Sequence, residues 1–83
     1  MKIFTVHKDL GFKISDKLIH EKKSAAIIAQ EIKAGLKKIE AFESFDSIDE
    51  FDQVQFATEI DEVIDSINNE AEQKRIKVRL FIG

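Results

Sequence analysis

Arg75-Ile76-Lys77-Val78-Arg79-Leu80-Phe81-Ile82 is the segment on which the fold turns. Ile76, Val78, Leu80 and Ile82 alternate with Lys77, Arg79 and Phe81. A period of two over this length reads as a β-strand with one apolar face and one basic face that carries an aromatic ring. A lone strand cannot satisfy its own backbone, so it must pair with another part of the chain. The candidate is at the other end, where Lys2 to His7 (KIFTVH) is β-branched and aromatic and places Phe4 and Val6 on one face. Asp9-Leu10-Gly11 is a turn signal after it, and Phe12-Lys13-Ile14 reads as the returning strand of a hairpin.

Between these strands the apolar period changes from two to 3.6. Over Ser24 to Glu43, residues Ala25, Ile28, Ile32, Leu36, Ile39 and Phe42 share a face, and Lys22, Lys23, Lys33 and Lys37 fall opposite. The helix starts near residue 16, capped by Ser15 or Asp16, or near residue 24, capped by Ser24. Ile27, Ala34 and Ala41 form a weaker stripe within the polar face; it suits contact with a partner helix, and the helix propensity of alanine is the favoured account of it. Ser44 to Ser47 breaks the pattern, and Ser47-Ile-Asp-Glu50 matches a capping box for a second helix running to about Gln73. Its core face is Phe56, Ile60, Val63, Ile64, Ile67 and Ala71, with Lys74 and Arg75 at its negative end. Ile48, Phe51 and Val54 project to the opposite side. Either they belong to a separate short helix or they face something other than the core.

The expectation is a single α+β domain over 1–83, a small antiparallel sheet packed on a two-helix hairpin, in the order β-β-α-α-β. Its strands are the N-terminal strand or hairpin and the C-terminal strand. So thin a sheet is marginal alone, which points to a homodimer formed through an edge strand.

Composition removes several classes of function. There is no cysteine, hence no disulfide scaffold, thiolate metal site or cysteine nucleophile. No apolar run approaches a membrane span and no signal peptide is evident, so a cytoplasmic protein is expected. His7 and His20 are isolated from one another and read as surface histidines. No phosphate-binding glycine loop, Ser/His/Asp set or zinc motif is present, and no cofactor is implied.

The formal charge of −3 conceals a segregated chain. Residues 1–39 hold nine Lys and four acids, a balance of +5. Residues 40–73 hold twelve acids and no Lys or Arg, a balance of −12, and Lys74, Arg75, Lys77 and Arg79 add +4. The acidic block needs solvent, the basic residues of its own chain, or a basic partner. Within it Glu59, Asp61, Glu62, Asp65, Glu70 and Glu72 lie on the outer face of the second helix. Neighbours three or four positions apart there repel by roughly tenths of a kcal/mol. The stretch Glu40–Phe56 (EAFESFDSIDEFDQVQF) alternates acid with Phe and Ile, a pattern of segments that dock into basic, apolar grooves. Phe51 stands out as a contact residue because its helical phase points away from the core.

These features favour a non-enzymatic interaction module that presents Phe51, Asp52, Glu59, Asp61, Glu62 and Asp65 to a basic protein surface. Small acidic proteins that occupy a nucleic-acid-binding groove, such as phage-encoded inhibitors of restriction or CRISPR nucleases, are of this physical type, and a mobile-element inhibitor is its most specific form. Two alternatives stand beside it. Lys77, Arg79 and Phe81 on an exposed sheet face suit single-stranded nucleic acid, although the overall field disfavours direct binding. Glu40-x-x-Glu43 followed by Glu62-x-x-Asp65 resembles, in spacing only, the paired carboxylates of MazG-type nucleotide pyrophosphatases. That resemblance implies Mg²⁺ held by four carboxylates on facing helices for phosphate chemistry. The lysine expected beside them and two further helices are missing, and Glu40 and Glu43 lie at a helix C-terminus, where negative charge is disfavoured.

Overall fold

A computed structural model describes residues 4–7, 11–21 and 23–83. In chain order these form β1 (Phe4–His7), β2 (Gly11–Ile14), a single turn α1 (Asp16–Ile19), and α2 (Ala25–Lys37). A 3-10 turn (Glu40–Phe42), a 3-10 helix (Ser47–Gln53), α3 (Ala57–Gln73) and β3 (Arg79–Ile82) follow. The expected strand start at Lys2, the turn at Asp9-Leu10 and the place of Lys22 on the helix lie outside the described residues. The fold is α+β, but its sheet is not antiparallel throughout, as the sequence led us to expect. The strand order is β1-β2-β3, with β1 antiparallel to β2 and β3 parallel to β2. Phe12 faces Leu80 and Ile14 faces Ile82 in the parallel register.

The direction of β3 follows from the segment that the periodicity left unresolved. A chain that leaves β2, passes down one helix and up a second would return antiparallel. Here the 3-10 helix Ser47–Gln53 makes a third pass, packed against both α2 and α3, which touch each other less. Cross-contacts give its direction. Asp52, late in the segment, bonds Gln30 and Lys33, whereas Asp49, earlier, pairs with Lys33 and with Lys37 at the end of α2. The segment is therefore antiparallel to α2. Its start, Asp46 and Ser47, meets Glu70 near the end of α3, so it is antiparallel to α3 as well. An odd number of helical passes delivers β3 beside β2 and in the same direction.

This insertion reverses two assignments made from the sequence. Ile48, Phe51 and Val54 are all buried, and Phe51 is 0% exposed, so Phe51 is not available as a surface contact. It belongs to the single apolar core that joins Phe12, Ile14 and Leu80 of the sheet to Ile28, Ile32 and Leu36 of α2 and Ile60, Ile64 and Ile67 of α3. Phe56, expected on the core face, is 67% exposed. The helical wheel does not apply to it, because Phe56 is the N-cap of α3, with φ −125° and ψ 150°, and its side chain leaves the helical phase. Phe42 closes one end of the core, edge-on to both Phe12 and Phe45 with ring centroids 5.3 and 5.2 Å away.

The helix ends also differ from the sequence reading. Helix α2 starts at Ala25, where the Ser24 hydroxyl accepts a hydrogen bond from the Ile27 N–H, while residues 16–19 form the separate turn α1. It stops at Lys37 rather than Glu43. Ser47 is not the cap of a long second helix; its hydroxyl donates to Glu70 instead. Helix α3 is closed at its start by Glu59, whose carboxylate accepts the Phe56 N–H at 2.9 Å. It ends in a Schellman motif, in which the Ile76 N–H donates to the Ala71 carbonyl and the Arg75 N–H to that of Glu72. Arg75 stands at φ 58°, the left-handed position that glycine normally fills.

The sheet edge at β3 is closed by a side chain. Asn68 of α3 donates its amide N–H to the Leu80 carbonyl and accepts the Leu80 N–H, both at 2.8 Å. In a parallel ladder both backbone groups of a residue point the same way, so Asn68 occupies the outward-facing pair of Leu80. An additional strand cannot pair there.

Two stability measurements follow. Phe51→Ala should cost about 3–5 kcal/mol, as removal of a large ring from a packed core does, whereas Phe56→Ala should stay within about 0.5 kcal/mol; urea titration of both variants separates them. Arg75→Gly should stabilise by about 0.5–1 kcal/mol, since glycine removes the left-handed strain of roughly 1–2 kcal/mol but loses more backbone entropy. It should register as a melting temperature several degrees higher.

Candidate functional site: an acidic helix face

Three groups of acidic residues stand out on the 3-10 helix and α3. The first is neutralised internally. Asp52 accepts hydrogen bonds from Lys33 at 2.7 Å and Gln30 at 2.8 Å, and Asp49 lies 3.5 Å from Lys33 and 3.6 Å from Lys37. The Lys33 and Gln30 bonds hold the Asp52 carboxyl below its ordinary range, and Asp52 in turn holds Lys33 above its own. The lysine back of α2 thus serves the 3-10 helix. Asp52 is a structural partner of α2 and not the unengaged carboxylate that the sequence reading assigned to the site.

The second group caps backbone. Glu59 accepts the N–H groups of Phe56 and Gln55 at the start of α3. Glu70 does the same across space. One carboxylate oxygen accepts the Asp46 N–H at 2.9 Å, and the other accepts the Ser47 N–H at 2.7 Å and the Ser47 hydroxyl at 2.5 Å. These N–H groups open the 3-10 helix and have no partner within it, so Glu70 caps an element distant in sequence. Lys74, one turn on, pairs with Glu70 at 2.9 Å, donates to the Ser44 carbonyl and sits 5.4 Å from the Phe45 ring centroid. Burial pushes the Glu70 carboxyl up, but the Ser47 hydroxyl, Lys74 and the two N–H donors outweigh it and bring it to about 2.

The third group is the outer face of α3. Asp61, Glu62 and Asp65 are exposed, and among the described residues no basic side chain forms an ion pair with any of them. Glu62 and Glu59 line a groove of about 260 Å³ between α3 and the 3-10 helix, with Glu50 and Gln53 on its rim and Val54 and Val63 on its floor. Phe56 protrudes at the head of the same helix, its backbone held by Glu59. Asp65 and Glu72 lie on the other flank, where they share a larger groove with Asn69, Lys77 and Arg79.

Three further features bear on the competing readings. Ile27 is 52% exposed and forms an apolar patch on α2 with Ala26 and Ala34, both also exposed. On the sheet, Lys77 and Arg79 are exposed and Phe81 is half-buried. Among the described residues no three His, Asp or Glu side chains are grouped so as to hold a metal ion, and Glu40, Glu43, Glu62 and Asp65 form no such set. No described helix is long and apolar enough to cross a membrane. Comparison with protein-family models, curated proteins and solved structures found no match for this chain.

Of the six residues singled out from the sequence, Asp61, Glu62 and Asp65 share the exposed face, Glu59 caps its helix, Asp52 is paired and Phe51 is in the core. The sequence reading put Phe56 in the core and Glu70 on the outer face, whereas Phe56 is exposed and Glu70 turns to the 3-10 helix, and it passed over Asn68. Two of these left signals: Glu70-x-x-x-Lys74 has helical ion-pair spacing, and Asn68-Asn69 is a poor helix-forming pair in mid-helix, which points to a side chain with another task. Nothing in the sequence marks Phe56 as exposed.

The Glu70 clasp sets an acid limb of stability. Its folded pKa lies below the unfolded value, so its contribution is present above about pH 4.5 and is lost as pH falls towards 2. Glu70→Gln should lower stability at pH 7 and flatten the loss between pH 4.5 and 2, measured by thermal melts across that range.

Proposed function

We propose that this protein is a non-enzymatic interaction module whose α3 outer face binds a basic protein surface. The observation that carries the reading is the row of Asp61, Glu62 and Asp65 on α3, exposed and without ion pairs among the described residues, with the exposed ring of Phe56 at the N-cap of the same helix. The chain has lysines to spare for neutralising carboxylates, and it directs Lys33 and Lys37 to Asp49 and Asp52 instead. Carboxylates one turn apart on a rigid helix repel one another in the free protein, and a cationic surface relieves that repulsion on binding. An exposed aromatic at the head of the helix adds an anchor that can enter an apolar recess. Phe56 takes the role that the sequence reading gave to Phe51.

The partner's cationic surface is of the kind that binds phosphates, so the most specific form of the proposal is an inhibitor that occupies the groove of a nucleic-acid-binding protein. Self-association through the sheet, if it accompanies this role, uses β1, because Asn68 already occupies the β3 edge at Leu80.

The experiment is affinity capture from the host lysate at low and high salt, followed by titration of the captured partner against variants. Asp61→Asn/Glu62→Gln/Asp65→Asn should weaken binding at least tenfold, roughly the effect of losing 1.4 kcal/mol, while the melting temperature holds or rises. Phe56→Ala should weaken it independently. The partner should also release bound oligonucleotide when this protein is added. Unchanged affinity in the triple variant sinks the proposal. Glu59 is left intact because its loss would uncap α3.

A further inference from the structure

The groove between α3 and the 3-10 helix has walls from two elements. Glu59, Glu62 and Ser66 line it at helical spacing from α3, and Glu50 lines it from the 3-10 helix, over a floor of Val54 and Val63. No basic residue of the chain lines it. Its volume of about 260 Å³ falls below the range of roughly 300–1,000 Å³ in which small-molecule pockets lie. A single long side chain from a partner is an occupant of the right size.

Three observations specify the chemistry of that side chain. Glu50 and Glu62 enter no ion pair among the described residues, so their charges are uncompensated within the chain. Glu59 is half-buried and held by its capping role, yet both N–H groups that it accepts fall on Oε1, which leaves Oε2 without a partner among the described residues. The three carboxylates do not converge on one point, because among the described residues no three acidic or histidine side chains are grouped so as to hold a metal ion. Anions spread around an apolar floor match a cation that is flat, weakly hydrated and rich in donors. A guanidinium has those properties, whereas an ammonium and a divalent ion are compact, strongly hydrated charges. The methylene stem of an arginine also lies readily along valine while its head stays polar.

We infer that this groove receives an arginine side chain of the partner, its stem against Val54 and Val63 and its N–H groups shared between Glu59 Oε2 and the carboxylates of Glu50 and Glu62. The inference rests on the reading of the α3 face as a surface for a basic protein, and it names the residue type that anchors that protein. The bonds that start α3 fix the Glu59 carboxylate before the partner arrives, which reduces the ordering cost of binding. Asp61 and Asp65 lie outside the groove and attract cations of either kind, so discrimination between arginine and lysine belongs to the groove alone.

The test is fluorescence anisotropy of labelled hexa-arginine and hexa-lysine peptides, equal in net charge, with the full chain at low salt. The arginine peptide should bind about fivefold or more tighter than the lysine peptide. Ser66→Leu fills the groove without changing the charge and should bring the two affinities together by weakening hexa-arginine alone. Glu50→Gln, at an exposed position, should narrow the ratio in the same way. Melting temperatures equal to that of the wild type show that both variants are folded. Asp61→Asn/Asp65→Asn should weaken both peptides by the same factor and preserve the ratio. The inference is overturned if the wild type binds the two peptides equally, or if Ser66→Leu and Glu50→Gln both leave the ratio unchanged. In either case the α3 face still stands as a surface for basic proteins, provided that Asp61→Asn/Asp65→Asn weakens both peptides. If neither peptide binds the wild type, that broader reading falls together with the inference.

Discussion

The clasp between Glu70 and the start of the 3-10 helix is the contact on which the remaining architecture depends. It fixes residues 46–53 between α2 and α3, and so sets the number of times the chain crosses the sheet. With that segment held inside, Phe51 fills the centre of the core and β3 arrives parallel to β2. Were the segment to continue α3 as an uninterrupted helix, Ile48, Phe51 and Val54 would fall on its solvent side and the strand would run the other way. A single carboxylate near the C-terminal end of α3 therefore ties down the segment whose place sets the topology, together with buried Ile48, Phe51 and Val54. The acidic end of the side chain finds four donors there, which is why so polar a group is tolerated within the packing.

The same clasp explains how charge is distributed. The lysines of α2 are drawn to Asp49 and Asp52 on the inserted segment, and the acids of α3 are left on the opposite side without them. Lys77 and Arg79 line a groove with Asp65 and Glu72 without forming an ion pair with them. The segregation along the chain, +5, −12 and +4, thus becomes a segregation in space only in part: Asp49, Asp52 and Glu70 meet lysines, whereas Asp61, Glu62 and Asp65 do not.

The elements with strong period are legible in the chain itself. Strand β3, the core face of α2, the Ser24 cap and the core face of α3 from Ile60 to Ala71 all follow from side-chain spacing, because each is decided by neighbours within one or two turns. What spacing does not reveal is non-local. Whether Phe51 is inside and Phe56 outside depends on where the helix begins, and that is fixed by Glu59 and Glu70 together, one of them reaching back over a separation of 24 residues. Strand direction depends in turn on that choice. For the candidate site, helical phase identifies Asp61, Glu62 and Asp65, which lie in the middle of a regular helix, and misplaces Phe51 and Asp52, which lie outside it.

Asn68 has a consequence that extends past the single molecule. A short strand with exposed backbone is a template for accretion, and cells hold such proteins at concentrations where edge-to-edge growth competes with folding. By giving Leu80 the hydrogen bonds of a further strand from a side chain, α3 terminates the sheet on that side. A further strand therefore cannot add in register at Leu80.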